Sequence, residues 1–240
     1  MSQKGGEFMK KTMIFLVIIL LAVQLHAEVG FKGRPIINNI GMQTAYTLNK
    51  GEFIIGIGSI GFGISDNVQI GTNILLFLLQ VYNANLKICL INTEQSAFAL
   101  GLSYYSFNNW EIFDEEITVS SFTPFATYSF SVGEDTKLHI GGQYSFFSTE
   151  DEDDDIEDVE IGPTTEGTTI FTGIEYSVSP KTKLLAEGGY DVTFEGLRIG
   201  GAVLFGWTTF RLKLGVNFFS PKDGDSFTWP VIGIWWRFKG

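Results

Sequence analysis

Once a secretion leader is removed, His139 is the one histidine left, and a short turn at 133–137 carries it back beside Ser131 and Ser129. An imidazole within reach of a serine hydroxyl is the least that nucleophilic catalysis needs, because the ring takes the proton as the oxygen attacks. Nothing else in the sequence completes such a site. A histidine hydrogen-bonded within a polar face is the favoured reading, no residue is assigned as catalytic, and no cofactor is expected.

Charged residues in alternating segments say more. A turn at 179–182 that pairs Val178 with Leu184 sets Glu175 directly across from Glu187, where two like charges repel unless cations relieve them. Arg211 and Arg237 fall on the same kind of face near the same strand ends, with Lys213 one step further along. The spacing predicts one inward cluster of Glu175, Glu187, Arg211, Lys213 and Arg237. Two roles are open to it: a constriction that selects solutes, or polar packing that fills a narrow interior. Filling is favoured, because every two-faced strand needs inward polar groups. Lys87, Asp191 and Arg198 add inward charge of both signs, which argues against strong selection for anions or for cations.

The formal charge of −11 becomes −13 when residues 1–27, with Lys4, Glu7, Lys10 and Lys11, are removed. Nine acids crowd positions 150–160, and four more are Glu111, Asp114, Glu115 and Glu116. Those thirteen account for the whole imbalance, so the acidity belongs to two loops. Nucleic-acid binding is disfavoured, since no basic stripe is present to neutralise phosphates. Asp151, Asp153, Asp155 and Asp158 offer oxygen ligands of the kind calcium takes, yet the run lacks the glycine and fixed spacing of an EF-hand loop. A solvated loop that binds divalent cations loosely is the expectation, with no specific metal site. Cys89 is the sole cysteine, which excludes an intrachain disulfide and reads as a small packing residue.

The elements that must hold these side chains are two-faced strands. Residues 210–218 read Phe-Arg-Leu-Lys-Leu-Gly-Val-Asn-Phe, apolar at every second position, and the beat recurs about a dozen times between Met42 and Phe238. Turn residues divide the chain into strands near 42–48, 52–64, 68–78, 82–91, 97–107, 118–132, 138–147, 168–178, 183–194, 197–205, 208–218 and 228–238, with ten strands as the alternative count. Upstream, Lys10 and Lys11 precede eleven apolar residues from Met13 to Val23, and Ala27 supplies a small residue for cleavage. Residues 1–27 therefore read as an N-terminal extension plus signal peptide, 28–41 as a periplasmic or lumenal segment, and 42–240 as one barrel. The apolar run is too short for a helical span, which takes about 20 residues.

Loop lengths and aromatic residues give the strands a direction. The connections at 108–117, 148–167 and 219–227 are the longest and all fall at one end, whereas those at 65–67, 92–96, 133–137, 179–182 and 206–207 are short and fall at the other. That sorting suits an up-and-down barrel with short periplasmic turns and longer outer loops. Apolar sets such as Phe98, Leu100, Leu102 and Tyr104 alternate with small or polar sets such as Ala97, Ala99, Gly101 and Ser103. Aromatic pairs gather at strand ends, as at Tyr104-Tyr105, Phe146-Phe147, Phe218-Phe219 and Trp235-Trp236, which suits a lipid interface. The expected fold is all-β, an antiparallel up-and-down transmembrane β-barrel of about twelve strands with its apolar side out.

Over residues 42–238 the chain resembles the small outer-membrane β-barrel proteins of Gram-negative-type bacteria and is porin-like in architecture. The terminal Ile234-Trp235-Trp236-Arg237-Phe238 is similar to the final aromatic strand that the barrel-assembly machinery of those bacteria reads, with Lys239 and Gly240 following as a departure. The resemblance implies a place in the cell outer membrane, contact with its lipid and lipopolysaccharide, and handling by the assembly machinery; the oligomeric state is open, with a monomer favoured. It implies no residue-level function. Enzymes exist among such barrels, but His139-Ile140-Gly141 lacks the His-x-Ser step of the outer-membrane phospholipases. The expected function is a passive or weakly selective pore for small polar solutes. A structural or surface-interaction barrel working through acidic outer loops is the alternative, and a hydrolase or lipid-modifying enzyme comes third.

Overall fold

The computed structural model describes residues 31, 34–112, 115–151, 167–193 and 195–239, and its strands form one closed antiparallel barrel. In chain order the twelve strands are β1 (Phe53–Ile57), β2 (Ile60–Ser65), β3 (Val68–Thr72), β4 (Val81–Asn92), β5 (Ser96–Ile112), β6 (Glu115–Ser131), β7 (Thr136–Asp151), β8 (Gly167–Ser179), β9 (Thr182–Asp191), β10 (Gly196–Gly206), β11 (Phe210–Ser220) and β12 (Phe227–Phe238). A five-residue helix, α1 (Ile74–Leu78), joins β3 to β4. Each strand pairs with its neighbours in sequence, and β1 meets β12 to close the wall, with Phe53 stacked on Phe238 at 6.3 Å.

Period-two alternation decides the faces. On β8, Ile170, Ile174, Tyr176 and Val178 are exposed, while Thr169, Phe171, Glu175 and Ser177 between them are buried. Elsewhere Leu100, Phe122, Ile140 and Val216 are exposed, whereas Lys87, Ser129, His139, Lys183 and Asn217 are buried. Charges inside and large apolar side chains outside is the reverse of a water-soluble fold, and a bilayer is the solvent that suits it. The height agrees. Trp207, Phe210 and Trp236 form an aromatic group at one end, and Phe218 lies eight positions up β11 from Phe210. At ~3.3 Å per residue and ~40° tilt, that is roughly 20 Å, near the ~25 Å apolar band of outer-membrane barrels. The short turns between even and odd strands mark the periplasmic end, and β5, β6 and β7, with 17, 17 and 16 residues, reach past the opposite end.

The expectations from sequence need correction at two places. The long outer connection expected at 108–117 is instead the paired ends of β5 and β6, with Glu111 across from Glu116 and Ile112 across from Glu115. The other place is the first third of the chain. Residues 42–48 form no strand. They lie inside the barrel, with Met42, Thr44, Ala45 and Leu48 buried. The expected strand at 52–64 is a hairpin, β1 and β2, which turns at Gly58 and Ser59 with Gly58 at φ 88° and the Gly56 N–H donating to Ser59 O at 2.7 Å. The expected strand at 68–78 stops at Thr72, where the Asn73 side chain accepts the Leu75 N–H at 3.1 Å and starts α1. One strand is lost and one gained, so the count of twelve stands, although its first members differ.

Candidate functional site

Residues 34–52, here the inner segment, enter the lumen and run down to the start of β1. An irregular chain inside a barrel has no ladder to join, yet its buried amides and carbonyls still need partners. A bridge between Asn38 and Gln43 and bonds such as Thr44 N–H to Ile37 O at 3.0 Å satisfy some of them. The wall supplies others by sign, with carboxylates meeting N–H groups and ammonium groups meeting carbonyls.

Glu187 shows the first case. One of its carboxylate oxygens accepts the backbone N–H groups of Ile40, Gly41 and Met42 at 3.0, 2.8 and 3.0 Å. Glu175 accepts the Ile36 N–H at 3.2 Å and pairs with Lys183, whose Nζ also donates to Arg34 O at 2.7 Å. For the opposite sign, Lys87 Nζ donates to Ile37 O at 2.9 Å, Thr44 O at 3.1 Å and Gln43 Oε1 at 3.2 Å, and Lys213 Nζ donates to Asn39 O. Neutral groups help: Gln69 accepts Leu48 N–H at 3.0 Å, and Ser129 Oγ accepts Ala45 N–H at 3.0 Å. Near the periplasmic end, Glu52 accepts from Arg237 Nε at 2.6 Å and Nη2 at 3.0 Å, from Arg34 Nη2 at 3.0 Å and from Asn49 N–H at 2.9 Å. Hydrogen bonds to charged groups contribute about 1.5–3 kcal/mol each where they are buried, so these carboxylates and ammonium groups fix the inner segment.

The expected charge cluster is thus distributed. Glu175 does not face Glu187; it lies across from Leu185, and Glu187 lies across from Gly173. The reason is local: β8 and β9 turn within two residues, Pro180 and Lys181, and an irregularity between Ser177 and Ser179 shifts the register. Arg237 serves Glu52. Arg211 donates to the carbonyl oxygens of Phe210, at 2.9 Å, and Trp207, and its guanidinium lies 4.8 Å from the centre of the Phe31 ring. Lys213 lies 5.6 Å from the Trp235 ring. Lys87 is buried as described, Asp191 accepts from Thr169 Oγ1 at 3.1 Å, and Arg198 Nε sits 4.0 Å from Glu187 Oε1 and over the Trp229 ring.

His139 does meet a serine. It is Ser129, at 2.8 Å from Nδ1, while Ser131 takes the Lys137 ammonium at 2.8 Å. His139 and Ser129 are both 0% exposed, Ser129 is committed to the Ala45 N–H, and Tyr46 covers the imidazole edge-on at 6.3 Å. Cys89 is buried with Ala45, Tyr46, Ala97 and Ala99. Asp151 ends β7, and Asp153, Asp155 and Asp158 lie outside the described residues, as does the expected signal peptide.

Glu52 and Lys183 went unassigned in the sequence. Lys183 had a signal, since stepping back from Glu187 by twos puts it on the inner face. Glu52 had only its place at a strand start. The inner segment itself was hidden because residues 42–48 are short and two-faced enough to pass for a strand; the interruption of alternation at Thr44-Ala45-Tyr46 was the one local sign against it.

No protein-family model matches the chain, and neither does any curated protein. Among solved structures, the barrel is similar to the KdgM porin in complex with disordered oligogalacturonate, at 10% identity and TM-score 0.49, over 78% of this chain and 97% of that one. It is also similar to the outer-membrane OmpT of Vibrio cholerae, at 14% identity and TM-score 0.45, over 75% of this chain and 63% of that one. The toluene transporter TodX of Pseudomonas putida aligns at 7% identity and TM-score 0.42, over 88% of this chain and 74% of that one.

Proposed function

We propose that the protein is a porin-like channel of the bacterial outer membrane for small polar solutes, and that its inner segment holds the axial route closed. The observation that carries the reading is the pairing of an apolar exterior with a polar, charged interior around a closed twelve-strand wall. The second part rests on Glu187. Its three amide partners are consecutive, so one carboxylate gathers the turn at Ile40, Gly41 and Met42 against the wall.

Mixed lumen charge follows from the same chemistry, because a backbone presents donors and acceptors in equal number and the wall must answer both. Solute selection by charge is therefore weak. Glu187→Ala is the direct test. If the carboxylate contributes about 3 kcal/mol to the closed state, its loss moves the closed-to-open balance roughly a hundredfold. In planar lipid bilayers the wild type is expected to conduct rarely and in small steps, and the variant to open far more often. A heat-modifiable, folded Glu187→Ala barrel that stays silent would overturn the reading.

A further inference from the structure

The wall is uneven, and the shortfall lies at membrane depth. β1, β2 and β3 contain 5, 6 and 5 residues. A tilted strand needs about 9–11 residues to cross the apolar layer. At ~3.3 Å per residue and ~40° tilt, five residues rise roughly 13 Å, about half of the ~25 Å band. β12 runs on beyond them. Its pairing with β1 ends at Ile57 and Ile234, while its pairing with β11 continues up to Phe227. Among the described residues, no strand pairs with residues 227–233 on the side away from β11.

The sequence suits that open edge. The Arg237 N–H donates to Thr209 O, on the β11 side, and amide direction alternates along a strand. The nitrogen of Pro230 therefore points away from β11, where a further strand would call for a donor that proline lacks.

Behind the edge lies a cavity of about 350 Å³, within the size range of small-molecule sites. Ile57, Leu75, Val231 and Ile232 line it from the wall and α1, and Ile36 and Ile40 line it from the inner segment. Ile57 and Ile232 are also 58% and 66% exposed, so the apolar lining continues onto the outer surface. The lining is cationic toward the periplasmic side: Arg34, Arg211, Lys213 and Arg237 border it, and among the described residues no acidic one does. Glu52 compensates part of that charge from its place between Arg34 and Arg237. Backbone at membrane depth that faces neither protein nor lipid must line a cavity, and this one supplies it.

We propose that the gap above β1 and β2 is a side portal and that the cavity behind it binds a small amphipathic anion, an apolar body carrying one carboxylate. Lys213 and the neighbouring guanidinium groups hold the carboxylate through charge-assisted hydrogen bonds, and the tail lies along the isoleucines toward the outer half of the membrane. This site goes beyond the axial channel. It rests only on the barrel spanning the bilayer, not on the conductance reading.

The test uses the full protein in lipid nanodiscs and reads the fluorescence that depends on Trp235, taken as wild type minus Trp235→Phe. Bromoundecanoate is expected to quench that component saturably, with decanoate competing and acetate not. Lys213→Met should weaken the apparent affinity at least tenfold, and Lys213→Arg should restore most of it. Val231→Asp, which places a negative charge at the portal without touching a buried ion pair, should weaken it as well. The proposal is overturned by unsaturable quenching, by equal quenching with neutral bromoundecanol, or by an affinity unchanged in Val231→Asp. Saturable binding in a protein that never conducts would sink the axial channel and leave the portal standing; conductance without such binding would do the reverse.

Discussion

The tall wall, β4 to β12, and the low wall, β1 to β3, are built from the same alternating pattern and held by different means. In the tall wall each strand of ten residues or more carries its own ladder, and lipid covers the outer face. The low wall is too short for that and leans on the chain inside it. The Gly51 N–H donates to Gly63 O and the Gly63 N–H to Glu52 O, both at 2.8 Å, and a Cβ at Gly63 would overlap Asn49 O. Buried charge then fastens the junction, with Glu52 tied to Arg237 on β12 and Arg34 on the inner segment. A barrel can thus trade strand length for an internal strut, at the cost of placing ions where water does not reach.

If that contrast is right, the most damaging change is at the strut. Glu52→Ala leaves Arg34 and Arg237 facing each other without their shared carboxylate, and removing one partner of a buried pair costs about 3–5 kcal/mol. Loss of the heat-modifiable band at a much lower temperature is the expected result. His139→Leu in the tall wall keeps most of the ring's volume and gives up the hydrogen bond to Ser129, so it should cost less, about 1 kcal/mol. Equal melting of the two variants would erase the distinction between the walls.

Lys87→Met separates the inner segment from the barrel that holds it. The ammonium leaves three oxygens, those of Ile37, Gln43 and Thr44, without its donors. About 1.5–3 kcal/mol of local stability should go, mostly from the segment. Amide hydrogen exchange is expected to quicken from residue 37 to 44 while β5 and β6 exchange as before; uniform quickening would mean that the segment and the tall wall melt as one unit.

A finer comparison uses two glycines. A Cβ at Gly173 would overlap the Asn39 side chain and lie 3.1 Å from Met42 Sδ, whereas one at Gly201 meets nothing within 4 Å. Gly173→Ala should cost about 1–3 kcal/mol by overpacking and Gly201→Ala almost nothing, read from urea unfolding in lipid vesicles. A neutral Gly173→Ala would show the inner segment to be loosely seated.

How much of this was legible follows from where local pattern and tertiary role agree. From Val81 onward each strand is long, two-faced and bounded by turn residues, so faces, order and the short periplasmic turns could be read directly. Gly58-Ser59 was a hairpin signal inside an otherwise continuous alternating run, and the length of that run outweighed it. Residues 42–48 were hard to place for a different reason: their partners in the wall are Glu187, Lys87, Gln69 and Ser129, more than a dozen residues away in every case, and no local spacing encodes a backbone bond to a distant carboxylate. The lumen charges were legible as inward residues. Their pairing depended on a shift in register beside Pro180 that alternation does not reveal.

The smallest expected effect is the most discriminating for the portal. Pro230 and Val216 are partners in register on β12 and β11, so proline can be moved across one pair. At 216 the amide faces β10, and Val216→Pro would remove a ladder bond inside the tall wall, costing about 3 kcal/mol or more. At 230 the nitrogen faces the open edge, and Pro230→Thr returns an N–H to it. Were that edge sealed against lipid, a new unpaired amide would cost several kcal/mol. Where it borders a gap that water reaches, only the stiffness of proline is lost, about 0.4–1 kcal/mol through the unfolded chain. A small shift for Pro230→Thr beside a large one for Val216→Pro is the outcome that keeps the gap open to water; two large shifts would close it.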